Sequence, residues 1–169
     1  MPLDAYDASV AVFVRGLRNL KTSLKKGEDH AAARATDPVD LLRARLAEGM
    51  YDLATQTHWA AEGAKLALAR LVDIAATPLA VEPKTFAELY ERIDATVASL
   101  EANHREDLET GLSRTIEIKH RGGSVSFTGS EFLTQFAIPN FFFHTTTAYG
   151  ILRHHGVAVT KADFTGFTF

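Results

Sequence analysis

The sequence contains no cysteine. That absence excludes disulfide bonds, a thiol nucleophile and thiolate ligands for a metal ion. With 169 residues the chain still has the length of one domain that buries a core without any covalent or metal cross-link. We therefore expect a single domain over residues 1–169, of the kind found in a reducing compartment.

The chain also lacks an excess of positive charge and any long hydrophobic run. Its 18 Lys and Arg residues face 21 Asp and Glu residues, for a net charge of −3, so it offers no basic field to nucleic acid or anionic lipid. No apolar run approaches the roughly 18 residues of a membrane span. Asp4 and Asp7 interrupt the N-terminal apolar stretch, which argues against a signal peptide. We expect a cytoplasmic protein without nucleic-acid or membrane partners.

Apolar residues recur every three or four positions in four long segments, which is the pattern of amphipathic helices. The first helix is predicted over about residues 7–26, with Gly27 as its stop. A short helical turn is expected at Asp37-Pro38, and the second long helix covers about residues 50–72. The third begins at Thr85, where a glutamate three residues later indicates a capping box.

The fourth helix is predicted to begin at Thr128, again with a capping box, and to end at Gly156. Pro139 lies inside it and cannot donate to the carbonyl of Gln135, so a kink is expected there. The tail KADFTGFTF contains three phenylalanines and is expected to fold back on the bundle.

The spacing of the apolar residues changes between Thr115 and Thr128, where apolar and polar residues alternate around Gly122-Gly123. This pattern predicts one β-hairpin with the two glycines as its turn. Residues 73–84, with Pro78 and Pro83, form a linker long enough to cross a bundle. The predicted fold class is all-α, a four-helix bundle with one small β-hairpin between the third and fourth helices.

Seven histidines are the candidates for chemistry. His30, His104 and His120 fall in polar, loop-like stretches and are interpreted as surface residues. His58 and Glu62 are four residues apart and can share one metal ion, although His58 lies on the flank of its helix; the alternative is a boundary histidine beside a carboxylate.

On the fourth helix, His144 and His155 are about 16 Å apart along the axis, and His154 points elsewhere. No two histidines of this helix can therefore share one ion, and a site at His144 would need His58 and Glu62 as partners. The sequence contains no phosphate-binding glycine loop and no G-x-S-x-G nucleophile elbow. The signal for catalysis is weak, and the catalytic residues stay unknown.

Trp59 and Leu66 lie seven residues apart, nearly opposite the apolar seam of the second helix. This second apolar surface indicates a partner, and aromatic residues are enriched at the cores of interfaces. Coverage by a symmetric copy predicts a homodimer. The alternative is coverage within the chain, by the segment 38–46 or by the C-terminal phenylalanines.

The stretches YDASVAVF, LLRARLAEGMYDLATQ, FTGSEFL and PNFFFHTTTAYGILRHHGV resemble an uncharacterised bacterial family related to the DinB-like (YfiT-like) four-helix bundles. The resemblance implies an up-down-down-up helix order and three histidines around a divalent ion, one on helix two and a His-x-x-x-His pair on helix four. In this sequence the pair positions carry Phe141 and Thr145, beside His144. Phenylalanine cannot bind a metal, so the implied site is expected to be lost or remodelled.

Two hypotheses follow. The first is a DinB-like protein without an assigned activity, a small-ligand-binding or structural homodimer. The second is a divalent-metal-dependent enzyme, a thiol-cofactor transferase or small-substrate hydrolase, with zinc, nickel or iron held by His58, Glu62 and His144. A role in nucleic-acid damage, suggested by the DinB name, fits an acidic chain poorly. Five residues are the candidates for a ligand pocket: His58, Glu62, Asn140, His144 and Tyr149.

Overall fold

The computed structural model describes residues 4–75, 77 and 83–167. These residues are mainly helical and include one two-stranded antiparallel sheet. The long helices are α2 (Val10–Ala33), α4 (Leu53–Leu71), α5 (Phe86–Glu101) and α8 (Ile138–His154). The short ones are α1 (Ala5–Ala8), α3 (Pro38–Leu42), α6 (Arg105–Gly111), α7 (Gly129–Glu131) and α9 (Lys161–Thr165). None of the helices among the described residues is long and apolar enough to cross a membrane.

Helix α2 continues through Gly27, so the predicted stop at that glycine is wrong. Gly27 is buried, and a Cβ at this position would lie 2.8 Å from the side chain of Leu152. The glycine therefore allows α2 and α8 to approach each other, and packing overrides its weak helix propensity. Since α2 ends only at Ala33, His30 lies in its last turn, which corrects its interpretation as a loop residue.

Side chains cap the starts of four helical segments, of which those at Asp37, Thr85 and Thr128 were predicted and the one at Asp52 was not. The carboxylate of Asp37 accepts from the backbone N–H of Val39 at α3, and that of Asp52 accepts from Thr55 at α4. At Thr128 both arms of the capping box form with Glu131, as predicted. At α5 the Thr85 hydroxyl accepts from the N–H of Glu88, while the Glu88 carboxylate accepts from Lys84.

The region before Pro139 is a π-helix over Phe132–Ala137, and Pro139 is the second residue of α8. The sequence predicted a kink in one continuous α-helix instead. Proline has no N–H for the carbonyl four residues earlier, and the wider π turns accommodate that loss before α8 begins. Helix α8 ends before Gly156, whose φ of +81° is left-handed, as predicted.

The hairpin consists of β1 (Thr115–His120) and β2 (Gly123–Thr128), which pair with Ile116 opposite Phe127. Its turn is Arg121-Gly122, one residue earlier than the predicted Gly122-Gly123, because Gly123 already pairs with His120. Ile116 is buried, whereas most of β2 is exposed. The hairpin therefore packs on the helices through one side of β1.

The core lies between the long helices and is built from leucine, alanine and phenylalanine. Phe13 on α2 meets Phe141 on α8 edge to face, with ring centroids 5.0 Å apart. The tail folds back as predicted: α9 packs on α2, and the Phe164 ring contacts the rings of Phe142 and Tyr149. The predictions for Pro78 and for the last phenylalanine, Phe169, fall outside the described residues.

Candidate functional site

His144 lies in the middle of α8 and faces α4. Its Nδ1 is 2.7 Å from Oε1 of Gln56, whose own Nε2 donates to the carbonyl of Tyr51. An amide oxygen only accepts, so Nδ1 of His144 carries the proton and Nε2 keeps its lone pair. Burial lowers the pKa of His144 below its ordinary value because the charged ring loses solvation. His144 is therefore a neutral imidazole held in one orientation.

His58 and Glu62 lie one turn apart on α4, both largely buried at 8% and 4% exposure. The guanidinium of Arg92 on α5 donates to Nδ1 of His58. A guanidinium has no acceptor, so this contact uses the Nδ1 lone pair and leaves the proton of a neutral His58 ring on Nε2. His58 thus points toward α5, whereas His144 bonds to the side of α4 that faces α8.

Asn140 and Tyr149 occupy two further places on α8. The amide nitrogen of Asn140 lies against Gly63, where an added Cβ would come within 3.4 Å. Tyr149 is on the other flank of α8 and meets the Phe164 ring edge to face at 5.6 Å. The five predicted pocket residues are therefore divided: His144 and Asn140 lie along the contact with α4, and His58 lies at the contact with α5, with the buried Glu62 one turn after it on α4. Tyr149 faces α9.

The positions of the His-x-x-x-His pair implied by the resemblance belong to the packed interior. Phe141 is fully buried, and its ring occupies the space above Gly16, where a Cβ would lie 2.5 Å from the ring. The Thr145 hydroxyl donates to the carbonyl of Phe141 and is likewise buried. An aromatic contact with Phe13 thus stands where a metal ligand is expected.

The remaining side chains do not replace that ligand. Among the described residues, no group of three or more His, Asp or Glu side chains is placed to hold a metal ion. His144 keeps its Nε2 lone pair, but the His58 ring points toward α5 and carries the proton of its neutral form on Nε2, so the two rings do not offer lone pairs to one ion. The donor set of the described residues does not fit the divalent ion that the resemblance implies.

Three histidines gather at one end of the molecule. His30 in the last turn of α2 lines a cavity of about 500 Å³ together with His154 and His155 at the end of α8. Asp37 and Asp40 line the same cavity. Both helices end here with their carbonyl groups directed toward this end of the molecule. Sequence reasoning compared histidines within one helix and so missed this juxtaposition.

An exposed apolar surface lies where α4 and α8 pack side by side. Trp59 is 37% exposed, Phe143 55% and Phe136, in the π-helix, 38%, while Leu66 is half-buried. Gly63 meets Asn140 between them, so the stripes Trp59-Gly63-Leu66 and Phe136-Asn140-Phe143 lie beside each other. We name these six residues the outer face.

Within the described residues, which do not include Phe169, neither predicted internal cover closes the outer face. Leu46, from the segment 38–46, lies against Gly150 and is itself 43% exposed. Phe164 packs on the far flank of α8, and Phe167 lies beneath the guanidinium of Arg15 on α2. Trp59 therefore keeps its exposure in the described part of the chain.

Gln56 and Arg92 are the site residues that sequence reasoning missed. Gln56 fixes the tautomer of His144 across 88 residues of chain, and Arg92 does the same for His58 across 34. Neither partner is three or four residues from its histidine, which is the spacing that brings two side chains together on a single helix. No signal in one sequence identifies such a pair, since it depends on how α4, α5 and α8 pack.

The fold and the lost ligand positions place the protein in the class of DinB-like helical bundles. A family model described as a domain of unknown function, DUF1993, matches residues 5–165. The chain belongs to this family.

A crystal structure of a DinB family member protein from Shewanella denitrificans is similar to this chain, with 37% sequence identity and a TM-score of 0.87. The match covers 96% of this chain and 92% of the other. No curated protein matches the chain.

Proposed function

We propose that this DUF1993 protein works as a homodimer, a binding or structural module rather than an enzyme. The observation that supports this proposal is the outer face. Trp59, Phe136 and Phe143 are large aromatic side chains that keep a third to a half of their surface exposed on one side of the molecule. Large exposed apolar patches on soluble proteins mark interaction sites.

The absence of exposed charge makes a second copy the best occupant. From Ile138 to Leu152 the sequence of α8 contains no Asp, Glu, Lys or Arg. Between Leu53 and Leu66 two such residues occur: Glu62 is buried, and the Lys65 ammonium donates to the carbonyl of Thr77. Interface cores are depleted in charge and enriched in aromatic residues. A twofold interface brings the same patch together twice, so a patch without charge meets itself without repulsion.

The dimensions of the outer face suit such an interface. The stripe from Phe136 to Phe143 and on to Gly150 is about 20 Å long, and two adjacent helices are about 18 Å across. Leu46 extends the surface at one end, and the contact between Phe136 and Phe127 extends it to the hairpin at the other. The two helices alone present a projected area of about 360 Å². Both extensions are therefore needed for the surface to approach the roughly 800 Å² per partner of a standard interface.

The helix order of the proposed subunit is up-down-down-up. Contacts along α4 support it: Gln56 meets His144 while Gly63 meets the earlier residue Asn140, so α4 and α8 run in opposite directions. The linker over residues 73–84 then joins α4 to a parallel α5.

Sedimentation tests the dimer. At micromolar concentration we expect a mass near twice the 18.5 kDa of the chain. Phe143→Lys places a charge in the outer face and should give a monomer. The matched control is Ile74→Lys, which adds the same charge at a side chain 61% exposed beyond the end of α4 and should leave the dimer intact. A wild-type monomer, or equal behaviour of the two variants, would contradict the proposal.

The metal-dependent alternative predicts a different result. Because the His58 ring points toward α5 and carries the proton of its neutral form on Nε2, while His144 lies at the contact between α4 and α8, we expect tag-free protein dialysed against zinc, nickel or iron to retain far less than one ion per chain. Elemental analysis measures this content. Near-stoichiometric retention that His58→Ala or His144→Ala abolishes would establish a metal site and overturn the non-enzymatic proposal. The ligand pocket at His58 and His144 stays a prediction.

A further inference from the structure

A second cavity lies on the flank of α8 away from the outer face. The short helix α9 crosses α2, and a space of about 310 Å³ remains between them. Gly16 contributes no side chain to it, and its remaining walls include the rings of Phe142, Phe164 and Phe167. A volume of this size is at the lower end of the range for small-molecule sites and fits a ligand with one ring.

Two cations line the same cavity, Arg15 on α2 and Lys161 at the start of α9. The Arg15 guanidinium lies over the ring of Phe167, 5.4 Å from its centroid. No ion pair joins Arg15 or Lys161 to a carboxylate within the described ranges. The nearby carboxylate of Asp163 is already paired with Lys26 at 2.7 Å. An acidic chain thus places two cations without ion-pair partners beside an aromatic cavity.

We propose that this cavity binds a small aromatic carboxylate. The ring of the ligand would lie among Phe142, Phe164 and Phe167, where offset or edge contacts between rings are favourable. Its carboxylate would accept charge-assisted hydrogen bonds from Arg15 and Lys161. Charge complementarity argues against a cationic ligand, and the aromatic walls argue against a small inorganic anion.

The test is a titration of the full-length protein with phenylacetate, monitored by calorimetry and by amide NMR shifts at Gly16 and Thr165. A ligand of roughly ten non-hydrogen atoms binds with a Kd of about 1 mM at ordinary efficiency. Phenylacetamide, which has the same shape without the charge, should bind about tenfold more weakly. Equal affinity for the two compounds, or no saturation by phenylacetate at about 10 mM, would overturn the proposal.

Arg15→Gln and Lys161→Gln should each weaken phenylacetate binding about tenfold, since each removes one charge-assisted contact. Both side chains are exposed, so the variants are expected to fold normally. Lys119→Gln on the hairpin makes the same charge change away from the cavity and should leave the affinity unchanged. Loss of binding in that control, or none in the two cavity variants, would count against the site. Sedimentation of the same proteins measures their oligomeric state separately, so the ligand site and the proposed dimer are tested independently.

Discussion

At the scale of single residues, the centre of the bundle is an aromatic contact made possible by a glycine. The Phe141 ring is fully buried between Phe13 and the backbone of Gly16. Phenylalanine at this position removes a metal ligand that the family resemblance implies and adds apolar burial in its place. The site that sequence comparison suggests has thereby become part of the core.

We predict that Gly16→Ala destabilises the protein even though alanine favours helices. The new Cβ would lie 2.5 Å from the buried Phe141 ring, and such overpacking costs about 1–3 kcal/mol. Gly63→Ala is the matched control on α4, because its Cβ meets only the Asn140 amide at 3.4 Å. That variant should be neutral or gain up to about 1 kcal/mol in unfolding free energy. Urea denaturation measures the change in unfolding free energy for each variant. If both substitutions lowered or both raised that free energy, the packing argument would be refuted.

His144 should make the folded protein sensitive to acid. Burial lowers its pKa in the native state below the ordinary value near 6.5, so the unfolded chain binds a proton first as the pH falls. Stability attributable to His144 is therefore complete above about pH 7.5 and is lost as the pH falls through 6.5 toward the native pKa. The loss ends once the native ring is also protonated.

Urea midpoints at about pH 7.5 and about pH 5.5 test this sign. Between these two pH values, the unfolding free energy of His144→Gln should fall by less than that of the wild type. This holds whatever the absolute stability of the variant. His120→Gln replaces an exposed histidine of the hairpin and should show the wild-type difference. If the stability of His144→Gln changed with pH as much as that of the wild type, another group would be responsible for the acid sensitivity.

At the scale of elements, helix starts are set locally and helix ends are set by packing. Asp37, Asp52, Thr85 and Thr128 each accept a hydrogen bond from a backbone N–H in the first turn that follows. These contacts join residues two or three apart, so a sequence pattern identifies them. The passage of α2 through Gly27 depends instead on Leu152 of α8, which no local pattern shows.

Thr128→Val should lower the unfolding free energy by about 1 kcal/mol, because it deletes the hydroxyl that accepts from the N–H of Glu131. Thr134→Val is the control in the π-helix: its hydroxyl only donates to a carbonyl that is already within the helix, so the change should stay within about 0.5 kcal/mol. Thermal or urea unfolding gives both numbers. If the two substitutions cost the same, the capping box contributes nothing specific.

At the scale of the whole molecule, the exposed aromatic residues and the charged residues occupy different surfaces. Three ion pairs join α2 to α5 or α9, as in Lys21–Asp94 and Lys26–Asp163, whereas the outer face on α4 and α8 has none among the described residues. A proposed dimer through that face rests on apolar contact alone. The fraction of dimer should then rise with protein concentration, and the dissociation constant should not depend on charge screening.

We accordingly predict that the dimer dissociation constant changes less than about twofold between about 0.05 M and about 0.5 M salt. The melting temperature should rise with protein concentration, because association stabilises the native state by mass action. Sedimentation at the two salt concentrations and calorimetry over a range of protein concentrations check these outcomes. Steep weakening of the dimer at high salt would place the interface on a charged surface instead.

Local patterns in the sequence suffice to predict the helical class, the approximate segments of the long helices, the hairpin and most capped helix starts. Each of these depends on contacts between residues a few positions apart, and periodicity and capping patterns record such contacts. The lost ligand at Phe141 was also visible in the sequence, since it requires only the identity of one residue.

Which candidate site residues meet depends instead on how the helices pack. Gln56 orients His144, Arg92 engages His58, and Arg15 joins Lys161 beside the α9 cavity. His30 likewise reaches the cavity of His154 and His155. These partners are separated by 34 to 146 residues, and the side of a helix that each presents to a neighbour follows from how the helices cross. Packing of the whole core fixes those crossings, so no short stretch of sequence contains them.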